Sequence, residues 1–304
     1  MKTKIALAAL AVLTAGGAFA QGSTEVYGRL NLSVEQQKID GDKDTGMFDN
    51  ASRIGIRGSE DLGGGLKAGF VLEHGFAADT GSAASTFWGR ESTVSLSGGF
   101  GKLRLGNLTA SEAYFAIADY VSMHNHDTGS SSDALYGFVA TGQLQNGIAY
   151  TSPTLNGMRF DIQYGLKETT KTDNPLSLAV NYDAGPLHLG LGYEDYDGNK
   201  STAVRALYEM GAFTVGGYIE RGSGDTRFNN FRLAGMYTLG ASEFHLNFGK
   251  RGDTNDVNGT DADQSTLGYN YNLSKRTKLY GYYTKLSVGS SDFSSFALGM
   301  RHNF

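Results

Sequence analysis

Hydrophobic and polar side chains alternate along most of this sequence. In its last nine residues, Phe296 to Phe304, large apolar side chains take nearly every second position, and small or polar ones fill the positions between. The same alternation recurs in six earlier segments: 26–34, 66–72, 158–164, 187–193, 213–219 and 244–248. A period of two predicts β-strands that each have one apolar and one polar face. We therefore predict an all-β protein.

The first twenty residues follow a different pattern. Lys2 and Lys4 precede an apolar stretch that ends in the small-residue site Ala18-Phe19-Ala20. These are the three parts of a secretory signal peptide. We expect residues 1–20 to be cleaved during export, which leaves residues 21–304 as the mature barrel.

Export and alternation together favour a protein that spans a membrane with strands. After the expected signal peptide, no apolar run approaches the ~18 residues of a membrane-spanning helix, and a closed barrel is the other architecture that satisfies every backbone group in lipid. A last strand with aromatic residues at Phe296 and Phe304 is typical of such barrels. We predict a transmembrane antiparallel β-barrel that this strand closes. The alternative is a large soluble β-sandwich, whose strands also alternate.

Composition excludes several functions. The chain has no cysteine, so it has no disulfide framework and lacks the common structural zinc sites. Removing Lys2 and Lys4 leaves 24 basic against 31 acidic residues, a net charge of −7, which argues against a nucleic-acid partner. The mean hydropathy of −0.30 fits a barrel, because half of each strand would line water.

The connections between the predicted strands differ in length. Short ones, typical of periplasmic turns, lie at 61–65, 97–101, 155–157 and 239–241. Longer polar segments, which should face outside, lie at 36–50, 77–86, 107–146, 223–229 and 252–263. Counting strands between these connections predicts about sixteen.

Several stretches resemble the general bacterial porins, most of all those of betaproteobacteria. They are VYGR at 26–29, SRIGIRGSEDLG at 52–63, STVSLSGGFG at 92–101, LRLG at 103–106, YNLSKRT at 271–277 and GMRHNF at 299–304. The resemblance implies a trimeric, sixteen-stranded diffusion channel in the outer membrane of a Gram-negative cell. It also implies that the third external loop folds into the lumen and narrows it.

In this family, basic residues on the wall face acidic residues on that loop, and the field between them filters solutes. Charged rings and clusters are a general device for pore selectivity. The resemblance implies that Arg29, Arg53, Arg57 and Arg90 are basic wall residues. Thr151 stands where the family has a further basic residue, and this departure weakens the expectation of strong anion selectivity.

Alternation predicts the direction of most of these side chains. Arg29, Arg53 and Arg57 should face the lumen, and Arg104 shares this orientation and extends the basic set. For Arg90 two alternatives remain open. Either the apolar residues of the following strand face inward behind the loop, or Arg90 points outward.

The constriction loop should be Asn107 to Asn146, the longest segment without alternation. Its acidic candidates are Glu112, Asp119, Asp127 and Asp133. We favour Asp119 and Asp127 as the acidic side of the constriction.

We expect a non-specific channel for small hydrophilic solutes and ions, with no enzymatic activity, cofactor or metal. Its expected partners are two further copies of itself, outer-membrane lipid and lipopolysaccharide, periplasmic chaperones and the barrel assembly machinery. The main alternative is a channel selective for an anion or a small organic acid. A barrel enzyme or an adhesin are further alternatives; His74, His124, His126 and His188 are the only candidates for catalysis.

Overall fold

The computed structural model describes residues 22–119, 129–137, 144–168 and 173–304 of the chain. Their regular structure is almost entirely β. The strands are β1 (Ser23–Ile39), β2 (Asp42–Asp49), β3 (Arg53–Gly63), β4 (Leu66–Ala77), β5 (Ser82–Ala83), β6 (Glu91–Gly98), β7 (Gly101–Leu108), β8 (Leu144–Thr151), β9 (Met158–Gly165), β10 (Leu176–Ala184), β11 (Leu187–Tyr196), β12 (Asn199–Met210), β13 (Phe213–Gly224), β14 (Phe228–Leu239), β15 (Ser242–Arg251), β16 (Ala262–Asn272), β17 (Thr277–Val288) and β18 (Ser291–Asn303). All paired strands are antiparallel, and most are neighbours along the chain. The exceptions are β1 with β3, β4 with β6, and the pairing of β1 with β18 that joins the ends.

That last pairing closes the sheet into a barrel. β1 pairs with β18 from Arg29 opposite Asn303 to Ile39 opposite Phe293. The backbone groups of Gly28 and Phe304 extend this ladder with two hydrogen bonds of 3.1 Å. β2 and β3 both pair with β1 and together form one barrel strand, and β5 pairs only with β4. The result is a closed antiparallel barrel of 16 strands, which confirms the predicted fold class.

The barrel reverses the usual distribution of polar and apolar side chains. On β1, the apolar Val26 and Val34 are 60% and 49% exposed on the outer face. The polar Asn31, Ser33 and Glu35 of the same strand are at most 2% exposed and point inward. A sheet with lipid outside and water or polar groups inside requires this arrangement.

One predicted external loop is mostly strand. The segment 36–50 continues β1, turns at Asp40 and Gly41, and returns as β2. Both faces of this hairpin carry polar residues, so the apolar period that predicts strands is lost there. β2 is separated from β3 by a break at Ala51, whose φ of 59° interrupts the ladder.

The two ends of the barrel differ. At one end, which we call the short-turn end, connections are tight; Gly63, Gly64 and Gly65 form one of them with φ values of 84°, 61° and 81°, where only glycine avoids strain. The opposite end, the long-loop end, carries most of the longer connections, including the one between β7 and β8. In the segments 199–210 and 262–272 apolar and polar side chains alternate less regularly, but both segments are strands.

In the part of the chain that the structure describes, helical structure is confined to short turns. A helix α1 (Glu112–Tyr114) continues into a π-helical turn, Phe115–Asp119, and single 3-10 turns occupy Gly129–Ser131 and Thr254–Asp256. Among the described residues, no helix is long and apolar enough to cross a bilayer.

Candidate functional site: the lumen and its inserted loop

The described residues of the connection between β7 and β8, 109–119 and 129–137, lie inside the barrel. We call them the inserted loop. Ser111 caps α1 by accepting from the Tyr114 backbone. The backbone N–H of Glu112 donates to Gln163 Oε1 at 2.9 Å, and that of Ala113 donates to Ser177 Oγ at 3.4 Å. Because Gln163 and Ser177 are fully buried on the inner faces of β9 and β10, these bonds attach the loop to the barrel wall.

Apolar contacts hold the same part of the loop. Ala113, Ala116 and Ile117 pack against small or apolar side chains of the inner wall. Those wall residues are Ala179, Ala203, Leu207, Tyr218 and Ala234. Full burial of one such large aliphatic side chain contributes about 1.5–3 kcal/mol. The inserted loop is therefore packed against β10–β14 as part of the core of the protein.

The returning part of the loop is attached through an ion pair. Asp133 accepts from Arg232 Nε at 3.1 Å and from the Tyr218 hydroxyl at 2.5 Å. Gln264 on β16 bonds to both neighbours of Asp133, accepting from the Ala134 N–H at 2.9 Å and donating to the Ser132 carbonyl at 2.8 Å. The carboxylate of Asp133 thus meets the wall on β13 and β14, and the backbone on either side of it meets β16.

Tyr136 joins the outgoing and returning parts of the loop. Its ring contacts Tyr114 edge-on, with centroids 5.1 Å apart, and Tyr218 with centroids 5.7 Å apart. Burial, with Glu220 nearby, raises the pKa of the Tyr136 hydroxyl well above its ordinary value. Tyr136 therefore stays neutral and serves as a packing group.

A third attachment lies on the other side of the lumen. The Ser130 hydroxyl donates to Glu35 Oε2 at 2.7 Å, and the Ser130 N–H donates to the Tyr282 hydroxyl at 3.1 Å. Tyr282 in turn donates to Glu35. Gly129 has a φ of 52°, and a Cβ there would lie 2.2 Å from Glu35 Oε1. Only glycine allows the loop to approach β1 and β17 this closely.

The described loop residues therefore contact strands β9–β14, β16 and β17, and they contact β1 through Glu35. The rest of the lumen wall carries basic side chains. Arg29 on β1 lies directly opposite Arg53 on β3 in the ladder, and Arg29 Nε donates to Asn303 Oδ1 at 3.2 Å. Both arginines lie on the lumen face, where alternation predicts them.

Two basic residues that sequence reasoning missed extend this group. Arg301 on β18 lies opposite Asn31, two residues along the lumen face from Arg29, and Lys278 on β17 lies opposite Arg301. Lys278 is within electrostatic range of both Arg301 and Arg29. We call Arg29, Arg53, Lys278 and Arg301 the basic group. Their shared alternation on neighbouring strands is the signal that could have identified the last two.

Arg57 lies nearer the short-turn end. It is four residues beyond Arg53 on the same face, a distance of about 13 Å along a strand. Its guanidinium pairs with Glu25 and lies 4.8 Å from the centroid of the Tyr27 ring. Both charged side chains are more than half exposed, so this pair is open to solvent on the lumen face.

Neither sequence-based alternative for Arg90 holds. Val94 is 55% exposed on the outer face, yet Arg90 reaches the lumen side and pairs with Glu73 at 2.6 Å. The reason is that β6 begins only at Glu91, so the strand alternation does not extend to Arg90. Glu73 also accepts from the Tyr27 hydroxyl at 2.9 Å.

Arg104 on β7 contacts the loop directly, through an ion pair of 2.5 Å with Glu112. Glu112 and Asp133 are thus the loop carboxylates that bond to wall arginines among the described residues.

Of the two favoured acidic candidates, Asp119 ends the π-helical turn but its side chain lies outside the described part, as does all of Asp127. Sequence reasoning also missed Arg205 and Arg232, which are buried on the inner wall.

The site offers no arrangement for metal chemistry in the part of the chain that the structure describes. No three His, Asp or Glu side chains there come together as metal ligands.

The lumen combines charged walls with a loop packed across it, and this defines the class of protein as a transmembrane β-barrel channel.

Comparison with known proteins identifies the family. The Gram-negative porin family matches residues 6–290. Outer membrane porin protein 32 of Delftia acidovorans is 34% identical over 91% of this chain and 88% of its own length. The chain belongs to the Gram-negative porin family. It is a passive channel of the outer membrane and not an enzyme.

Solved structures agree with this assignment. An anion-selective porin from Comamonas acidovorans matches with a TM-score of 0.77 and 26% identity, covering 93% of this chain and 100% of that one. OmpT of Vibrio cholerae, in a trimer form, matches with a TM-score of 0.72 and 17% identity, covering 93% of this chain and 99% of its own. At that identity the second likeness concerns the fold alone.

Proposed function

We propose that this protein is a non-specific porin through which small hydrophilic solutes and ions diffuse passively. The observation that carries the proposal is the division of the lumen. The inserted loop packs on β9–β14, while the basic group lies on β17, β18, β1 and β3. A solute that passes between them meets fixed positive charge along one wall, which filters by charge without a specific binding pocket.

The predicted constriction loop, residues 107–146, carries four acidic candidates for the other side of the filter. Glu112 and Asp133 bond to Arg104 and Arg232, so these two carboxylates oppose wall charges at the loop attachments. Asp119 and Asp127 remain our candidates for the acidic residues that face the basic group. Arg57 and Arg90 each have a carboxylate partner, Glu25 and Glu73, which compensates part of their charge.

A second candidate function is an anion-selective channel. The basic group favours it, because four cationic side chains on neighbouring strands attract anions. The Comamonas acidovorans porin, which is described as anion-selective, is a relative with this fold. Reversal potential in a salt gradient separates the two functions: a value near zero supports the non-specific channel, and a strong anion potential supports the second.

Processing and assembly follow from the same proposal. Residues 1–20 would be removed, the short-turn end would face the periplasm, and the long-loop end would face outside. Apolar side chains on β18 and β1, including Phe296 and Leu298 at 53% and 60% exposure, offer a surface for a homotrimer. The strand that ends at Phe304 would be recognised by chaperones and the barrel assembly machinery, and lipopolysaccharide would surround the outer rim.

Single-channel recording of the purified mature protein in a planar lipid bilayer tests the proposal. We expect ohmic current steps that close in thirds at high voltage, as three parallel pores would. Correctly folded protein without conductance would overturn the diffusion function. Steps without a three-fold pattern would overturn the trimer alone.

A further inference from the structure

A groove on the outer face of the barrel combines an apolar floor with basic side chains above it. Its lower part, with a volume of about 950 Å³, lies across β11–β14 and is lined by outward-facing Val204, Val215, Ile219 and Leu233. A second depression of about 680 Å³ shares Val204 and Ile219 and continues to Arg221 and Lys250. The two form one continuous groove toward the long-loop end.

Small residues create the floor of this groove. Ala206 and Gly217 lie opposite each other on β12 and β13, between Leu189 and Leu233 on the flanking strands. The backbone around Gly217 is closely packed, because a Cβ there would lie 2.1 Å from the Arg232 carbonyl oxygen. The depression is therefore a fixed feature of the wall.

Arg221 and Lys250 lie at the edge of the groove that is nearer the long-loop end. Both are exposed and alternate with lumen-facing neighbours, so both point outward. Neither forms an ion pair among the described residues. Lys250 on β15 lies opposite Asp263 on β16, and this carboxylate offsets part of its charge. Arg221 on β13 lies two strands further from Asp263, so it provides the stronger attraction for an anion.

The level of these two residues agrees with a membrane boundary. At the short-turn end, Phe213, Tyr237, Phe244 and Tyr269 form an aromatic row whose neighbouring ring centroids are 4.6, 6.3 and 5.2 Å apart. Arg221 is eight residues above Phe213 on β13, or about 26 Å along the strand. With the usual strand tilt of about 35–45°, this corresponds to a height of about 18–21 Å, somewhat less than the apolar band of about 25 Å in such barrels. The backbone of Arg221 thus lies just inside the boundary opposite the aromatic row, and its long side chain can extend to the headgroup level.

We propose that the groove binds a phosphorylated, multiply acylated glycolipid of the lipopolysaccharide type. An acyl chain lies over Ala206 and Gly217, and a phosphate group contacts Arg221 and Lys250. Positive side chains attract anionic headgroups, and aliphatic walls take up the chain. The proposal rests on the orientation proposed above, in which the long-loop end faces the outer leaflet, and it does not depend on ion conduction.

Native mass spectrometry of the folded protein in detergent tests the site, with bisphosphorylated lipid A as the probe. Arg221→Gln with Lys250→Gln should weaken binding about tenfold or more, since two headgroup contacts are lost. Ala206→Trp fills the floor from the outside and should weaken binding while it keeps both charges. Asp263→Asn should strengthen binding. Lys38→Gln with Lys43→Gln removes the same charge from two exposed residues that lie opposite each other at the same end, away from the groove, and is the matched control.

Each result has a clear meaning. Unchanged binding in the Arg221/Lys250 variant would overturn the phosphate contact, and unchanged binding in Ala206→Trp would overturn the acyl-chain site. Equal loss in the Lys38/Lys43 control would show that the effect depends only on net charge and would also overturn the proposal. If phosphatidylglycerol displaces lipid A at equal concentration, the groove does not select the glycolipid.

A second copy of the chain is the other possible occupant. In that case Ala206→Trp would change the oligomeric state in lipid-free detergent, which would overturn the lipid site. Single-channel conductance of the same variants separates this inference from the proposed function. The groove lies on the outer face, so unchanged conductance with weakened lipid A binding supports the lipid site alone. Absent conductance with intact lipid A binding overturns only the channel.

Discussion

Arg232 on β14 and Asp133 on the inserted loop form an ion pair of 3.1 Å, with side chains only 2% and 4% exposed. The pair joins residues that are 99 positions apart in the sequence. A buried pair stabilises little relative to apolar residues, but loss of one partner leaves an uncompensated charge. The attachment of the returning part of the loop to the wall therefore depends on this pair.

Asp133→Asn should loosen the loop. The change leaves the buried Arg232 charge without its carboxylate, at a cost of about 3–5 kcal/mol. We expect larger fluctuations of the open-channel current and faster proteolysis within the loop. The double variant with Arg232→Met should recover part of the lost stability, because the buried charge without a partner is removed. Equal behaviour of single and double variants would show that the pair is not coupled.

Gly129→Ala should detach the loop from β1. The new Cβ would collide with Glu35, Asn50 and Tyr282. Gly185→Ala is the control, since Gly185 has a φ of 58° and open space around it. Backbone strain alone costs about 1 kcal/mol in both variants, so any additional loss of thermal stability in Gly129→Ala measures the collision. Equal melting temperatures would contradict a tight contact at Gly129.

Arg53→Glu should shift ion preference toward cations. The change reverses one charge of the basic group and alters the lumen volume little, so single-channel conductance should change only slightly. The measurement is the reversal potential across a salt gradient. Lys38→Glu makes the same change on the outer face of β1 and should leave the potential unaltered. If Arg53→Glu also leaves it unaltered, Arg53 is not at the constriction.

Glu73→Gln should shift the reversal potential in the opposite direction. Removal of the carboxylate leaves the Arg90 charge uncompensated on the lumen side, while the amide oxygen can still accept from Tyr27. Glu60→Gln changes the same charge on the outer face of β3 and serves as the control. A shift toward cations in Glu73→Gln would place the Arg90 pair outside the conduction path.

Deletion of Phe304 should slow closure of the barrel. Two backbone hydrogen bonds to Gly28 are lost at the β1–β18 seam, each contributing about 1 kcal/mol. We expect a lower yield of folded protein after dilution into detergent, measured by the shift in gel mobility on heating. Phe100→Ala, at an exposed turn, is the control for loss of an aromatic residue. Equal yields would exclude a closing role for Phe304.

The sequence alone determined the architecture. Lipid and water lie on opposite faces of every barrel strand, so the alternation of side chains reports the strand and its orientation directly. For this reason the class of barrel and the inward direction of Arg29 and Arg53 could be read from residue spacing. The same logic failed at 36–50, because that hairpin extends beyond the apolar band and both of its faces are polar.

Tertiary structure alone decided the contacts across the lumen. Which carboxylate meets Arg104, Arg232 or Arg90 depends on how an irregular loop folds, and irregular segments have no period that links them to a wall position. Arg301 and Lys278 join Arg29 only because β1 closes on β18. Barrel closure and loop insertion bring together residues that are distant in the chain, and local sequence carries no record of such contacts.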